Sequence, residues 1–297
     1  MDARALKARA AELGFDACGI ARAGPADPEG RLRDWLARER HGPMDYMARN
    51  VAEREDVERV VPGARSVVAL AMSYRREAPP RGPLKVSRYV TARDYHKVLR
   101  KRLRKLRKSI LEAFPEAAVK PSVDTSPVLE RAWAARAGIA WIGKSCMAIS
   151  PRLGTYSFLG TLITDVGFEA DEPMPDRCGS CTRCLDACPT QAFVGPRELD
   201  ARRCITTWNV EERTRGVEAL PELHGWLAGC DVCQEVCPWN KFGVEADPEL
   251  EAQSELSWPT IQACVQDPER LEALIRGTAL QRTGASALRR NALRILR

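Results

Sequence analysis

The sequence predicts a fold of both helices and strands: an N-terminal α/β domain, a cysteine-rich domain after it and a short helical tail. Short apolar segments alternate with helical ones up to about residue 168. A polar stretch with prolines follows at residues 169–177, and nine of the 11 cysteines come after it. The last segment starts acidic and ends helical and basic. We therefore place domains at residues 1–168, 169–246 and 247–297.

The N-terminal domain is predicted from its pattern of apolar residues. Residues 1–20 predict a helix that runs into a short strand. Segments 65–72 and 158–164 are short, apolar and bounded by turn residues, which is typical of buried strands. Helices are predicted between them, near 94–114 and near 126–137. This alternation indicates a central sheet with helices packed on it.

Composition and charge exclude several classes of protein. The chain has 297 residues, 44% of them hydrophobic, which is enough for a substantial core. No run of about 18 apolar residues occurs, so we expect no membrane partner. The first 20 residues mix charges with apolar side chains and lack a twin-arginine pair, so we expect a mature helix and a cytoplasmic location. In that reducing compartment, cysteines are expected to bind metal rather than to form disulfides.

Seven cysteines form two related motifs, and an eighth cysteine lies between the motifs. The motifs are Cys178-x2-Cys181-x2-Cys184-x3-Cys188-Pro189 and Cys230-x2-Cys233-x3-Cys237-Pro238, and Cys204 lies between them. In such motifs closely spaced cysteines share one cubane, while the cysteine before proline ligates the other cluster. The spacing therefore predicts two [4Fe–4S] clusters, one held by Cys178, Cys181, Cys184 and Cys237, the other by Cys188, Cys204, Cys230 and Cys233.

Two zinc sites of four thiolates each are the alternative interpretation of these eight cysteines. Zinc ribbons rarely carry the four-cysteine run that ends in Cys-Pro, so the pattern favours iron–sulfur clusters. The other three cysteines, Cys18, Cys146 and Cys264, lie in apolar stretches. We expect them only to pack in the interior, as free cysteines commonly do.

A strongly basic helix is predicted at residues 97–108. Its apolar stripe is Leu99, Leu103, Leu106 and Ile110, and its basic residues are Lys97, Arg100, Lys101, Arg102, Arg104, Lys105, Arg107 and Lys108. Such a face can be merely solvated. With no acidic residue within it, a phosphate-bearing partner such as folded RNA is the other interpretation. Five arginines near the C-terminus extend this basic character: Arg282, Arg289, Arg290, Arg294 and Arg297.

Read together, the motifs resemble the epoxyqueuosine reductase family over nearly the whole chain. The matching stretches are Asp94-Tyr-His-Lys-Val-Leu99, Val123-Asp-Thr-Ser-Pro-Val-Leu-Glu-Arg131, Gly138-Ile-Ala-Trp-Ile-Gly-Lys144, Cys178-Gly-Ser-Cys-Thr-Arg-Cys-Leu-Asp-Ala-Cys-Pro-Thr190 and Gly229-Cys-Asp-Val-Cys-Gln-Glu-Val-Cys-Pro-Trp-Asn240. Many proteins share a two-cluster motif. Its combination with the segment at 123–131 is far more specific. The sequence departs from the family in two ways. Residues 205–209 differ from the usual family pattern, and some relatives continue into helical repeats beyond the point that corresponds to Arg297.

The resemblance implies a fold, a reaction and two kinds of cofactor. It implies an α/β cobalamin-binding domain packed on a ferredoxin-like domain with two [4Fe–4S] clusters, with cobalamin between them. The implied enzyme reduces epoxyqueuosine to queuosine at the wobble position (34) of tRNA with a GUN anticodon, the last step of queuosine biosynthesis. This reaction needs a low-potential electron donor. We expect a monomer.

The resemblance also implies roles for individual residues. Asp124 matches the family's proton donor, for which apolar neighbours would raise the pKa of the carboxyl. From the residues alone, Asp124 could instead cap the helix expected after it. Implied cobalamin contacts are Arg54, Ser87, Asp124, Ala148, Leu159, Asp231 and Val232.

Asp94-Tyr-His96 and Lys144 are two further features of the sequence. The near-match of Asp94-Tyr-His96 to a corrinoid motif is interpreted as chance, since Leu99 replaces its glycine. Lys144 either faces substrate or RNA phosphate or is simply exposed.

Two other functions compete with this one. A corrinoid reductase acting on a small molecule would share the cofactors, but it would have no need of the basic helix and is usually exported. A ferredoxin-like electron carrier would share the clusters, yet it requires far fewer residues than precede the cysteines here. Uptake of cobalamin distinguishes the carrier from the two enzymes.

Overall fold

The structure is a computed structural model that describes residues 1–77, 82–250, 263 and 265–297. Its helices in this part of the chain are α1 (Ala3–Glu12), α2 (Arg31–Ala37), α3 (Val51–Glu55), α4 (Tyr95–Ala113), α5 (Glu130–Arg136), α6 (Arg183–Asp186), α7 (Val232–Glu235), α8 (Pro268–Ile275) and α9 (Ala285–Leu296). Its strands are β1 (Ala17–Arg22), β2 (Ser66–Ser73), β3 (Lys85–Val86), β4 (Val119–Ser122), β5 (Trp141–Ile142), β6 (Ala148–Ile149), β7 (Ser157–Thr164), β8 (Phe193–Gly195), β9 (Glu198–Leu199) and β10 (Trp226–Ala228).

A four-stranded antiparallel sheet in the order β1-β2-β7-β4 is the centre of the N-terminal half. Every residue of β2 is buried, because the sheet is covered by helices on both faces. This explains why β2 is a continuous apolar run rather than an alternating one. The predicted central sheet and its two buried strands are therefore confirmed. The predicted helix near 126–137 is shorter than expected and begins only at Glu130.

The helices cover the two faces of this sheet with separate apolar layers. On one face Leu99 and Leu103 of α4 pack with Leu6 of α1 against β2 and β7. On the other face Trp133 and Ala134 of α5 pack against the opposite side of β2. The apolar stripe predicted for the basic helix is thus confirmed, since its four members are fully buried.

Gly19 allows α5 to lie close to β1. A β-carbon at this position would stand 2.0 Å from the carbonyl oxygen of Ala137, which follows α5. No other residue fits there without displacing the backbone. This close contact fixes α5, and with it the loop that precedes α5, relative to the sheet.

The second half of the chain packs on the first through several small elements. β3 pairs in parallel with β10, and Val86 and Val90 share an apolar core with Leu227 and with the helices α8 and α9. Residues of the first predicted domain therefore contribute to the core of the last two. The domain boundaries remain a proposal.

The C-terminal helix α9 is attached by a buried polar network. Asn291 is fully buried and donates to the carbonyl oxygens of Asn209 and Leu227, at 2.8 and 2.9 Å. Arg290 is also buried and donates to the carbonyl oxygens of Trp208, Arg215 and Glu212. The expectation that Arg290 extends a basic surface is therefore wrong, because its guanidinium satisfies carbonyl groups inside the protein.

Within the described residues, no helix is both long enough and apolar enough to cross a membrane.

Candidate active site

Asp124 lies in the loop between β4 and α5, where the main chain takes an uncommon conformation. Its φ angle is +54°, in the left-handed region that costs a non-glycine residue about 1 kcal/mol or more. Helix α5 starts at Glu130 with Leu129 at the cap position, so the alternative prediction that Asp124 caps this helix is wrong. The Asp124 N–H instead donates to Glu130 Oε1 at 2.8 Å. This bond helps to hold the strained loop.

His96 lies between two carboxylates and connects them. Asp94 caps α4 by accepting a hydrogen bond from the His96 N–H at 3.0 Å, and the same Oδ1 lies 2.7 Å from His96 Nδ1. The other ring nitrogen, Nε2, lies 3.0 Å from Asp124 Oδ2. Tyr95 stacks on the imidazole, with 4.1 Å between ring centres. The position and the orientation of the ring are therefore both fixed.

The charges of this group determine where its proton resides. Burial acts to lower the pKa of His96, but the hydrogen bonds and charges of Asp124 and Asp94 raise it to about 9. Burial acts to raise the pKa of Asp124, yet His96, Arg282 and Arg100 bring it below its ordinary value of 3.8. The prediction that apolar neighbours keep Asp124 protonated is therefore wrong. Its neighbours are cations, and near neutral pH the proton is carried by His96.

Arg282 is the second cation beside Asp124, and it comes from the C-terminal segment. Its Nη1 lies 3.8 Å from Asp124 Oδ2, and its Nη2 donates to Glu211 Oε2 at 2.8 Å. The guanidinium also lies over the Tyr46 ring, 5.8 Å from the ring centre. Of the five C-terminal arginines, this one reaches the candidate site.

Two cavities meet at Asp124. The larger, of about 830 Å³, extends along the sheet and α5 and has apolar walls that include Leu129, Trp141 and Phe158. The smaller, of about 640 Å³, is more polar and is lined by His96, Thr125 and residues of the C-terminal half. The residues that line both cavities are Tyr46, Arg54, Tyr95 and Asp124. A group bound in either cavity would therefore be able to contact Asp124.

The structure brings some of the predicted cobalamin contacts to the larger cavity. Arg54, Asp124 and Leu159 line it. Ala148 is buried beside Met147, which lines the cavity. Arg54 is held by the carbonyl oxygen of Tyr46, to which its Nη2 donates at 3.2 Å. It is therefore more ordered than a solvated surface arginine would be.

The remaining predicted contacts lie elsewhere. Ser87 and Asp231 are each 1% exposed, and neither lines the two cavities. Asp231 Oδ2 accepts hydrogen bonds from the backbone N–H and the guanidinium of Arg88, at 2.8 and 3.1 Å. Val232 is the first residue of α7. A cobalamin contact by Ser87, Asp231 or Val232 stays a prediction that these cavities do not support.

The eight patterned cysteines fall into two spatial groups. Burial raises the pKa of Cys237, and the neighbouring thiols of Cys184, Cys178 and Cys181 add to it. Burial raises the pKa of Cys233 well above its ordinary value, with added contributions from the thiols of Cys230, Cys204 and Cys188. These neighbourhoods match the two predicted ligand sets, which themselves remain a prediction.

The other cysteines and Lys144 have more specific positions than the sequence indicated. Cys18 is partly buried against the core. Cys146 is partly buried and lines the larger cavity. Cys264 lies outside the described residues. Lys144 donates to the carbonyl oxygen of Gly179 at 2.7 Å, which braces the first cysteine motif rather than leaving the amine free for phosphate.

The basic helix keeps seven of its eight cationic side chains exposed. Arg102 is the exception: it is buried and pairs with Asp247 and Glu249 at 2.8 Å each. Arg100 contacts the loop that bears Asp124, because its guanidinium donates to Thr125 Oγ1 at 2.7 Å. The exposed basic face therefore extends from solvent to the loop that bears Asp124.

Comparison with known proteins identifies the family of this chain. The family model described as "Epoxyqueuosine reductase QueG, DUF1730" matches residues 54–125, and the "4Fe-4S double cluster binding domain" matches residues 177–240. An epoxyqueuosine reductase of Gloeobacter violaceus is 42% identical over 97% of this chain and 93% of its own. One of Leadbetterella byssophila is 38% identical over 96% of this chain and 95% of its own.

The chain belongs to the epoxyqueuosine reductase family. Solved structures agree, among them an epoxyqueuosine reductase with an epoxyqueuosine-modified tRNA-Tyr stem loop, with a TM-score of 0.87 and 32% identity over 99% of this chain and 80% of that one. The Bacillus subtilis enzyme, with the loop of its catalytic aspartate swung out of the active site, gives a TM-score of 0.86 and 30% identity over the same shares. The match to the double-cluster domain confirms the iron–sulfur interpretation of the cysteines, rather than zinc.

An enzyme of this family uses cobalamin and two [4Fe–4S] clusters, and the residues present fit these groups. Each group of four thiols provides a full ligand set for one cubane. The larger cavity offers about 830 Å³ of space and an apolar wall beside a polar group, Asp124.

Sequence reasoning missed several residues of the candidate site: His96, Arg282, Glu130, Tyr46 and Tyr95. His96 was visible in the Asp94-Tyr-His96 triplet, which was interpreted as chance. Its real partner is Asp124, and this contact is formed only in the folded chain. No local signal distinguishes Arg282 from the other arginines of the tail.

Proposed function

We propose that this enzyme acts on epoxyqueuosine at wobble position 34 of tRNA with a GUN anticodon, and that Asp124 and His96 together deliver the proton to the leaving epoxide oxygen. The observation that carries the proposal is the position of Asp124. Its carboxyl lies where the two cavities meet, with His96 hydrogen-bonded behind it. The Bacillus subtilis relative has an aspartate-bearing catalytic loop, which supports a catalytic role for the aspartate-bearing loop of this chain.

The larger cavity is the proposed place of cobalamin, between the α/β domain and the ferredoxin-like domain. Arg54, Leu159 and Asp124 would contact it there. Trp141, which lines the same cavity, donates to Cys178 Sγ at 3.5 Å. The eight cysteines hold the clusters in the two sets named above. When bound, cobalamin and the clusters supply the two electrons of the reaction.

The residues of this chain supply the proton. His96 carries it on Nε2, 3.0 Å from Asp124 Oδ2. Negative charge that develops on the epoxide oxygen draws this proton through the carboxyl of Asp124 and gives a hydroxyl group. A second proton, taken up from solvent by His96 and passed along the same path, lets this oxygen leave as water rather than as hydroxide. Asp94 then keeps the imidazole in place through Nδ1. Arg282 stabilises the anionic form of Asp124 between turnovers.

The smaller cavity is the proposed place of the modified nucleoside. The exposed face of α4, from Lys108 to Arg100, extends away from it and would contact the phosphates of the anticodon stem loop. We propose that the protein is a monomer. A low-potential carrier supplies the electrons. We propose a cytoplasmic location, where thiols stay reduced.

Reconstitution tests this function directly. The protein is loaded anaerobically with iron, sulfide and cobalamin and given titanium(III) citrate and tRNA that carries epoxyqueuosine. Nucleoside digestion and mass spectrometry then detect queuosine. Queuosine that forms only when cobalamin is present supports the proposal. If both cofactors bind and no queuosine forms, the substrate assignment fails and a corrinoid reductase for small molecules becomes the better interpretation.

A further inference from the structure

The two cysteine groups differ in how close they are to solvent. Around the first group, Arg177, Gly179 and Arg183 are exposed. Around the second group, Asn209 is fully buried and Asp231 is 1% exposed. An electron that arrives from outside therefore reaches the first group, Cys178, Cys181, Cys184 and Cys237, over the shorter distance.

A stack of aromatic rings extends from this first group to the surface. Trp141 donates to Cys178 Sγ at 3.5 Å. The Trp141 and Trp239 rings meet edge to face, with 4.9 Å between centres, and Trp239 and Phe242 follow at 6.1 Å. Phe242 ends the stack and is 67% exposed. Phe242 is therefore an apolar surface group that is connected to Cys178, a predicted cluster ligand, through the rings of Trp239 and Trp141.

A basic concavity of about 890 Å³ lies beside this aromatic stack, with Cys237 in its wall. Five of its lining side chains are cationic and two are acidic: Arg75, Arg76, Arg88, Arg183 and Lys241 against Asp186 and Glu235. Arg75 pairs with Glu245, and Arg88 pairs with Asp231 and Glu235. Within the described part of the chain, Arg183 and Lys241 form no ion pair, and both are exposed. They give the concavity unpaired positive charge, and Lys241 is the residue next to the exposed Phe242.

We propose that Phe242, Arg183 and Lys241 form the docking surface for an acidic protein that carries one electron at a time. This inference rests on the proposed function, which needs such a donor. An exposed apolar group beside unpaired positive charges suits a transient encounter, because charge steers the approach and little area is buried. These positive charges select an acidic partner.

The electron balance requires two encounters for each turnover. In each one, a donor loses one electron and the cluster of the first cysteine group gains one. Two such electrons, with two protons, remove the epoxide oxygen as water. The donor dissociates after each transfer, so a weak and fast interface is appropriate here.

The test measures binding and cluster reduction without tRNA. The probe is an acidic flavodoxin, titrated in its oxidised form into the holoprotein by calorimetry at low salt. Its reduced form is then mixed with the holoprotein while the loss of cluster absorbance is followed. Titanium(III) citrate, which needs no docking surface, provides the reference rate. The variants are Arg183→Glu with Lys241→Glu, Lys241→Glu alone, and Phe242→Ala.

Arg59→Glu is the matched control. Arg59 is exposed and lies before the start of β2. The segment that follows Cys237 contacts the other end of β2, where Ser73 Oγ donates to the Val244 carbonyl oxygen. The double variant should lower both the flavodoxin affinity and the reduction rate at least about 10-fold, and the loss should shrink as salt rises. Phe242→Ala should lower both without changing their salt dependence. Reduction by titanium(III) citrate, and all properties of the control, should stay at wild-type values.

Wild-type affinity and rate in the folded variants would overturn the docking site, as would an equal loss in Arg59→Glu. Slower reduction by titanium(III) citrate in the double variant would mean a damaged cluster site, and Lys241→Glu alone then decides the question. None of these measurements uses tRNA. Failure to form queuosine would therefore overturn the proposed function and leave the docking result unaffected.

Discussion

Asp124→Asn keeps the shape of this side chain while removing its charge. In the wild-type protein the pKa of His96 rises from 6.5 to about 9 because Asp124 and Asp94 stabilise the imidazolium. At 1.36 kcal/mol per pKa unit, this rise corresponds to about 3 kcal/mol of interaction between the two carboxylates and the imidazolium. The share of Asp124 is reduced by water, since its side chain is 44% exposed. We expect the pKa of His96 in the variant to fall by about 1 unit, with Asp94 accounting for the remaining elevation.

Proton NMR can measure this pKa directly, because the chain has only three histidines. In parallel, the variant should bind both cofactors and tRNA but lose turnover by about 10²- to 10⁴-fold, as expected for the loss of a general acid. Wild-type turnover should fall as pH rises through about 9, when His96 loses its proton. The stability that the raised pKa of His96 contributes to the folded state also decreases as pH rises. It is fully present below about 6.5 and is lost as pH rises through about 9.

Asp34→Asn is the control, because it makes the same chemical change at an exposed position on α2. It should leave the pKa of His96 and the turnover unchanged. A wild-type His96 that titrates near 6.5 would refute the charge arrangement. An Asp124→Asn enzyme with normal turnover would refute the role of Asp124, whatever the His96 titration shows.

Three further changes test the cofactor sites and the fold. Cys204→Ser should lower the iron content from about eight to about four per chain by iron analysis, since one ligand set loses a thiolate; unchanged iron would contradict the assigned set. Asn291→Ala should destabilise the protein by about 2–4 kcal/mol in thermal or denaturant unfolding, because two buried carbonyl groups lose their donor. Gly19→Ala should cost about 1–3 kcal/mol, because its β-carbon would meet the Ala137 carbonyl oxygen. A stable Gly19→Ala protein would mean that α5 can move away from β1.

Much of the fold was predictable from the sequence where the signal is periodic and local. The apolar stripe of α4 and the buried run of β2 each predicted an element and the face that it buries. The cysteine spacing predicted the clusters because a cubane imposes its own geometry on a loop. The antiparallel order of the sheet was not predictable, since strand pairing depends on contacts between distant segments.

The candidate site was only partly predictable, because its chemistry arises from contacts between distant residues. Asp124 was identified through family resemblance, yet the direction of its pKa shift was wrong. That direction depends on His96, 28 residues earlier in the chain, and on Arg282 in the C-terminal segment. A motif specifies which residue is present. It does not specify which charges the fold places around it.

The C-terminal segment therefore influences the active site as well as stability. Asn291 of α9 bonds to the backbone of Asn209, in the same turn as Glu211, and Glu211 holds Arg282 beside Asp124. If α9 shifted, Arg282 would lose this position. One of the cations that lower the pKa of Asp124 would then be missing, and this pKa would rise. His96 would then be the main cation beside Asp124. The buried network at Asn291 thus links the attachment of the tail to the position of the catalytic proton.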